Sequence, residues 1–400
     1  MIQRIFICIL LCTPQIGLGY KAVCKVPVAD LLGESMMVIK SKPDGVHHYS
    51  SIPYAENGCS FGCPRLHQLL FNEIVEVHQV ADNEALIEIP NVYYHTATNM
   101  TPQTTYWTSV RNLIALSELE KKGINLTHAF PQPISYQATK NSEPIIVLTR
   151  PHYDPTTHTV YSAGTRFKLA QTPENNKPYT AYVFNPHTET IVTVPITRLH
   201  GAIQHASSPE HAQNNFVQLV RSWAHVKDGV VPYVWGGCSI GLPCKNTFEK
   251  KENNGKTYFT WRGTHAPKQG VDCAGLVARA AQIAGLPYFF KNTTTLAHGL
   301  QELPSEESPV NGDLIWIPGH VMVISDVTKS LLVEARHYNH GYGIVHEITL
   351  KEQFQNIETY KDLVYAHTQK RGLRRLNKDG RVVQTIPEFK ILRLASVWRS

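Results

Sequence analysis

The chain has 400 residues, which is too long for one ordinary domain, so two or three domains are expected. Its hydrophobic fraction of 42% and charged fraction of 18% are those of a globular protein and exclude an extensively disordered chain. The net charge of +6 is spread along the chain without a Lys/Arg block. We therefore expect no nucleic-acid partner, although a basic protein suits an anionic polymer.

Residues 1–19 have the pattern of an export signal. Residues 1–4 are positively charged, residues 5–11 form a short apolar run, and residues 17–19 offer small side chains for cleavage. The apolar run is too short to span a bilayer, and no other stretch is long enough for a transmembrane helix. The sequence thus predicts a soluble protein exported to the periplasm or cell envelope.

Two groups of short strands follow the signal segment. Residues 23–28, 69–80 and 85–89 alternate in a way that favours strands, and this spacing predicts a small barrel within residues 20–125. A short amphipathic helix is predicted over residues 113–121. Strands over 145–148, 161–169 and 191–194 predict a second barrel within residues 135–199.

The sequence predicts a third domain over residues 205–395, and its first helix is predicted over residues 212–224. Cys273 lies where a polar, Gly-rich stretch meets the apolar helical run of residues 276–284, so it should occupy the first turn of a helix. Backbone N–H groups and the helix dipole there favour the thiolate and would lower the pKa of the thiol. Cys273 is the predicted nucleophile, and an inert buried cysteine is the alternative.

His320 is the predicted base for this nucleophile. It opens a strand after a turn at residues 318–319, and a second strand follows at residues 331–335. A hairpin folded about Val327 brings Glu334 nearly opposite His320, so nucleophile, base and an orienting group can meet. His337 and Asn339 are the rival candidates for the third position.

The other cysteines favour no metal site. Cys238 and Cys244 flank one loop and could form a disulfide. They are too widely spaced for a zinc knuckle, and the chain has no C-x-x-C pair. We expect no metal and no other cofactor.

The motifs around these residues resemble the NlpC family of papain-like cysteine peptidases of bacterial cell walls. Tyr233 and Trp235 belong to the stretch YVWGG, and DCAG, GD and GH motifs follow in the family's order. The stretches at residues 26–32, 68–77 and 106–113 are similar to bacterial SH3-like domains. The resemblance implies an α+β fold in which two small SH3-like β-barrels precede a papain-like NlpC catalytic domain.

This domain order resembles that of gamma-D-glutamyl-L-diamino-acid endopeptidases, which cut peptidoglycan stem peptides. The resemblance implies a monomer in which Tyr233 assists the nucleophile and Trp235 lies on the substrate side. It also implies that Glu73, Tyr106 and Asp272 receive a free N-terminal L-alanine. The alternatives are a surface charge for Glu73, a core position for Tyr106 and a helix cap for Asp272.

Three features depart from the family pattern. Glu334 stands where the family usually has histidine, and Ala274 stands where it usually has serine. The segment 238–269 is a long insertion between the tyrosine and cysteine motifs, expected to be a surface loop at the cleft rim. These departures motivate a second hypothesis, a weak or inactive wall-binding protein on a peptidase scaffold. A third is an amidase or acyltransferase with the same fold.

Overall fold

The computed structural model describes most of the chain. The described residues are 19–42, 45–54, 62–89, 92–96, 99–134, 144–171, 175–204, 208–242, 248–253, 256–261, 267–305, 307–337 and 342–398. Within them, no helix is both long and apolar enough to cross a membrane.

The first part of the chain forms an antiparallel sheet of seven strands with a separate hairpin. Its strands are β1 (Tyr20–Cys24), β2 (Val28–Leu32), β3 (Arg65–Leu70), β4 (Ile74–Ala81), β5 (Glu84–Glu88), β6 (Tyr94–Thr96), β7 (Asn99–Gln103), β8 (Thr105–Ser109) and β9 (Leu113–Ala115). The sheet order is β3-β2-β8-β5-β4-β1-β9, and β6 pairs with β7. Three short helices belong to this part: α1 (Met36–Lys40), α2 (Leu116–Lys121) and α3 (Leu126–Ala129).

The second part forms an antiparallel sheet of five strands and a further hairpin. Its strands are β10 (Ile145–Leu148), β11 (His152–Asp154), β12 (Thr159–Tyr161), β13 (Arg166–Leu169), β14 (Tyr179–Asn185), β15 (Thr190–Ile196) and β16 (Gly201–Gln204). The sheet order is β15-β14-β13-β10-β16, and β11 pairs with β12. Strand β10 lies between β13 and the edge strand β16 and is buried along its whole length.

Both sheets differ in detail from the predicted barrels. The expected strand over residues 69–80 is split into β3 and β4, because Asn72 has a φ of 69° and turns the chain. The pairing of each sheet begins and ends at an unpaired edge strand, so no closed barrel is found among the described residues. The two SH3-like barrels are therefore not confirmed, and the domain boundaries remain predictions.

The third part is a mixed helix and sheet region. Its helices are α4 (Pro209–Ala224), α5 (Cys273–Ala284), α6 (Thr293–Gly299), α7 (Leu350–Gln353) and α8 (Tyr360–Thr368). Its strands are β17 (Cys238–Ser239), β18 (Phe248–Asn253), β19 (Lys256–Trp261), β20 (Gly270–Val271), β21 (Gln301–Glu302), β22 (Leu314–Ile317), β23 (His320–Asp326), β24 (Leu331–Ala335), β25 (Val345–Thr349), β26 (Leu373–Leu376), β27 (Val382–Ile386) and β28 (Lys390–Arg393). Six strands form one antiparallel sheet in the order β21-β28-β22-β23-β24-β25.

This six-stranded sheet is covered on both faces. Helices α4 and α5 pack on one face in a core that includes Leu276, Val323 and Val333. Helices α7 and α8 pack on the other face in a core that includes Met322 and Leu332. Burial of both faces explains the continuous apolar runs of β22 and β23, which would alternate if one face met solvent.

The insertion at residues 238–269 contains a hairpin where a loop was expected. Strands β18 and β19 pair antiparallel over six residues each, from Phe248↔Trp261 to Asn253↔Lys256. The first residues of the insertion form β17, which pairs with β20. Strand β20 ends just before α5. The base of the insertion therefore lies next to the start of α5.

Candidate active site

Cys273 is the first residue of α5, as the sequence predicts. Asp272 is the N-cap, and its Oδ1 accepts the N–H of Gly275 at 2.5 Å. Its Oδ2 accepts the N–H of Gly236 at 3.0 Å, which ties the cap to the YVWGG stretch. The thiol thus lies at the positive end of a helix dipole, although Cys273 is only 8% exposed.

The pKa of this thiol moves opposite to the sequence expectation. Burial, and after it the Asp272 carboxylate, raise the pKa of Cys273 to about 12. Hydrogen bonds from the backbone of Val321 and Ala274, together with the Lys291 cation, oppose the rise without cancelling it. The expected lowering by the helix end is therefore overridden by burial, and the resting sulfur is a neutral thiol.

His320 opens β23 after a tight turn, where Ile317 pairs with His320. Its Nε2 lies 2.7 Å from Oε2 of Glu334, which is completely buried. A carboxylate at Nε2 favours the tautomer in which Nε2 carries the proton and Nδ1 can accept one. A backbone hydrogen bond from Val321, the residue after His320, reaches the Cys273 sulfur, so the start of α5 lies beside the start of β23. The roles of Cys273, His320 and Glu334 as nucleophile, base and orienting group stay predictions.

The pKa of His320 is lowered to about 4. Burial is the largest cause, and the Arg375 guanidinium is the second; the Glu334 carboxylate acts in the opposite direction. A carboxylate alone would favour imidazolium, but the arginines beside Glu334 act against the charged form of His320. The resting pair is therefore neutral thiol and neutral imidazole.

Glu334 is the centre of a buried polar cluster. Its Oε2 accepts hydrogen bonds from Arg375 at 2.6 Å and Gln353 at 3.1 Å, besides the contact with His320. Its Oε1 lies 3.1 Å from Nε2 of His346 and 3.6 Å from Arg336. Burial alone would raise the pKa of Glu334, but Arg375 and Arg336 hold it well below its usual range.

Tyr233 and His337 lie together beside this cluster. Tyr233 is buried, bridges Val271 in parallel fashion, and packs edge-on against the His337 ring with centroids 5.3 Å apart. His337 thus contacts the tyrosine, whereas Glu334 contacts His320. Asn339, the other rival for the third position, lies outside the described residues.

Trp235 joins the catalytic region to the first part of the chain. Its N–H donates to the carbonyl of Tyr54 at 2.8 Å, and its carbonyl accepts from Arg65 at 3.1 Å. Its side chain is partly buried and packs against cores of both parts. A second contact joins them farther on, where the N–H of Tyr93 donates to Phe289 at 3.2 Å.

The three predicted ligands for an alanine ammonium already have protein partners. Glu73 pairs with Arg279 at 3.2 Å and accepts the Leu70 N–H at 2.9 Å. Tyr106 is 0% exposed and donates to the carbonyl of Gln103, so it occupies a core position. Asp272 caps α5, as its alternative interpretation states. A role of Glu73 and Tyr106 in binding the substrate ammonium stays a prediction.

Sequence reasoning missed Lys291, the cation next to the nucleophile. It is 3% exposed, and its Nζ lies 3.2 Å from Asp272. Burial alone would lower the pKa of Lys291, but Asp272 and the neighbouring thiols raise it. Its sequence surroundings contain only the capping pattern of α6, which begins two residues later, so no local signal marks it as a site residue.

Cys238 is a free, buried thiol whose Sγ lies 3.7 Å from the carbonyl of Gly275. The possible disulfide with Cys244 is therefore not formed at Cys238, because that sulfur faces the nucleophile helix. Cys244 lies outside the described residues. One group among the described residues, Glu76, His78 and Glu88, has ligand atoms close enough to hold a metal ion. It lies on β4 and β5 rather than beside Cys273.

Comparison with solved structures gives a fold relationship. The structure matches an NlpC/P60 family protein from Bacillus cereus ATCC 10987 over 82% of this chain and 94% of that chain, with a TM-score of 0.51 and 15% identity. The chain has an NlpC/P60-type fold. At this identity the match shows the fold alone.

Two further NlpC structures are similar at lower scores. An NlpC/P60 endopeptidase from Photobacterium damselae subsp. piscicida matches 94% of this chain and 73% of that chain, at TM-score 0.43 and 11% identity. NlpC1 from Trichomonas vaginalis matches 87% of this chain and 94% of that chain, at TM-score 0.31 and 10% identity. These scores support no further conclusion. No protein-family model and no curated protein matches the sequence.

Proposed function

We propose that this protein is a cysteine endopeptidase of the cell envelope that hydrolyses the bond between D-glutamate's gamma-carboxyl and meso-diaminopimelate in peptidoglycan stem peptides. The observation that carries the proposal is the Cys273, His320 and Glu334 arrangement at the end of one sheet. The NlpC/P60-type fold supports the choice of a wall peptide as substrate. Neither nucleic acid nor a bound cofactor is needed.

The geometry supports a reaction in which proton transfer accompanies attack. As the Cys273 sulfur bonds the carbonyl carbon, Nδ1 of His320 takes the thiol proton, while Glu334 accepts the Nε2–H and stabilises the new imidazolium. The Cys273 N–H has no partner within the helix and can donate to the oxyanion. His320 then protonates the leaving amine, which leaves a thioester. Water, deprotonated by His320, hydrolyses this thioester.

Contacts of the first part of the chain support a substrate that is short on its N-terminal side. Arg65 of the first sheet contacts Trp235, and Tyr93, just before β6, contacts Phe289, so the first part of the chain borders the third part at two places. We therefore propose peptides with a free N-terminal L-alanine. Asp272 is the acid nearest the nucleophile, and an ammonium there would compete with Lys291.

The test is cleavage of L-Ala-gamma-D-Glu-meso-diaminopimelate under reducing conditions, with L-Ala-D-Glu measured by mass spectrometry. We expect product from the wild type and from Cys24→Ala, which removes a buried thiol of the first sheet, but none from Cys273→Ala. A wild type that makes no product favours the wall-binding scaffold. Cleavage of other amides alone favours the amidase hypothesis. An active Cys273→Ala variant rules out the named nucleophile.

A further inference from the structure

Arg375 contacts Glu334 at the same oxygen that contacts His320. It belongs to β26, in the C-terminal hairpin that β26 forms with β27. Its side chain is 6% exposed, and its Nη2 lies 2.6 Å from Oε2 of Glu334. The same oxygen lies 2.7 Å from Nε2 of His320. One carboxylate oxygen therefore contacts both the histidine and the guanidinium.

A buried carboxylate needs compensation of its charge. Glu334 is 0% exposed, so its ionised form would be costly without cations nearby. His346 and Gln353 donate hydrogen bonds, but neither side chain brings a permanent charge. Arg375 at 2.6 Å and Arg336 at 3.6 Å bring two, and Arg375 is the closer.

We propose, on the basis of the function proposed above, that Arg375 is a positioning residue for the catalytic base. It fixes the Glu334 carboxylate so that this group accepts the Nε2–H of His320 and leaves Nδ1 for the thiol. Its charge also offsets the negative charge of Glu334, which keeps His320 a neutral base until the substrate's carbonyl is attacked.

A purely structural role for this side chain explains less. The hairpin is attached to the rest of the domain by backbone contacts that do not need the Arg375 side chain. The backbones of Phe354 and Arg375 form a β-bridge, and the N–H of Gln355 donates to the carbonyl of Arg374. Leu373 and Ile386 also bury their side chains in the core under the sheet. The Arg375 guanidinium is therefore free to act on Glu334 rather than being required to hold the hairpin.

The charges that face His320 come from several elements. Glu334 and Arg336 lie on or just after β24, Arg375 lies on β26, and His346 of β25 contacts the other oxygen of Glu334. Other titratable groups here are Cys273 at the start of α5 and Tyr342, whose ring stacks on His346. Arg375 is the largest source of the lowered pKa of His320 after burial. Removing it should raise that pKa and so increase the small fraction of the thiolate–imidazolium pair.

The experiment compares Arg375→Gln, Arg375→Lys and the matched control Arg374→Gln, which changes an exposed arginine on the same strand. Iodoacetamide alkylation of each cysteine is followed at pH 7 by peptide mass spectrometry. This measurement needs no substrate, so it stands even if the tripeptide is not cleaved. Buried Cys238 reports loosening of the fold, because it becomes reactive only if the core opens.

We expect Cys273 of Arg375→Gln to be alkylated about tenfold faster than in the wild type, since a nearby charge shifts a pKa by about one unit or more. Cys238 should stay protected, and kcat for the tripeptide should fall because His320 is no longer held. Arg374→Gln should match the wild type. Unchanged Cys273 alkylation in folded Arg375→Gln, or faster alkylation of both thiols alike, overturns the proposal.

Arg375→Lys provides the test if Arg375→Gln does not fold. Lysine keeps the charge but lacks the planar fork. We expect Cys273 alkylation within about twofold of the wild type, because lysine keeps the positive charge whose loss in Arg375→Gln shifts the pKa of His320 by about one unit. A tenfold rise in Cys273 alkylation with Cys238 still protected would show that the charge at position 375 does not act on His320.

Discussion

Gly275 lies directly against the carbonyl oxygen of Gly237. A β-carbon added to Gly275 would come within 1.9 Å of that oxygen, far inside contact distance. The DCAG and YVWGG stretches are therefore in contact through a glycine and a carbonyl, although they are far apart in sequence. The first turn of α5 can approach the tyrosine stretch this closely only because residue 275 has no side chain.

Gly275→Ala is expected to lower the free energy of unfolding by about 3 kcal/mol, since the methyl group meets backbone that cannot rotate away. It should also remove the preference of the alkylating reagent for Cys273 over Cys238, because the start of α5 is displaced. Urea unfolding measures the first effect. Gly380→Asn is the control, because Gly380 has a φ of 77° and open space around it. A fully stable Gly275→Ala would contradict the close contact.

The low pKa of His320 predicts that kcat/KM falls only at strongly acidic pH. The neutral imidazole is the base, so kcat/KM should hold from neutral pH down to near pH 5 and fall through a midpoint near the pKa of about 4. A midpoint near about 6.5, the ordinary pKa of histidine, would show that burial and Arg375 do not lower the pKa of His320.

The same pKa predicts a pH dependence of stability. Between the ordinary value of 6.5 and about 4 the unfolded chain binds a proton at His320 that the folded chain does not. Stability therefore falls as the pH is lowered through this window, by up to about 3 kcal/mol. Urea unfolding at pH 7 and pH 4.5 should show a smaller loss in His320→Gln than in the wild type. Equal losses would assign the effect to other groups.

Some of this arrangement could be read from the sequence. The position of Cys273 at a helix start followed from Asp272 and the apolar periodicity after it, both of which are local signals. Strand β10 has the predicted bounds because its four apolar residues are flanked by breakers. Helix α4 begins earlier than predicted, because Ser208 caps it and Pro209 occupies its first position.

The rest depends on contacts that no local pattern encodes. The hairpin register pairs Val323 with Val333, so Glu334 lies diagonal to His320 rather than nearly opposite it. Arg375 reaches Glu334 from a hairpin 41 residues farther along the chain. Burial of the thiol, which reverses its expected pKa shift, depends on the whole domain.

Asp272 and Lys291 should change the reactivity of Cys273 in opposite directions. Asp272→Asn keeps a side chain that caps α5 but removes an anion that raises the thiol pKa. Lys291→Met removes a cation that lowers it. At pH 8 we expect alkylation of Cys273 to be about threefold or more faster in the first variant and about as much slower in the second. The exposed Lys361→Met is the control. Changes in the same direction would contradict this charge arrangement.

Glu73 provides the sharpest test of how the amino end of the substrate is received. If the site binds a free ammonium, acetylation of the tripeptide should slow cleavage by the wild type strongly. Because Glu73 is paired with Arg279, Glu73→Ala should slow the free and acetylated peptides in the same proportion. It should also reduce stability by about 1 to 3 kcal/mol, because Arg279 is buried. Glu76→Ala, an exposed change on the neighbouring strand, should do neither. A Glu73→Ala variant that loses activity only on the free peptide would show that Glu73 leaves Arg279 to bind the ammonium.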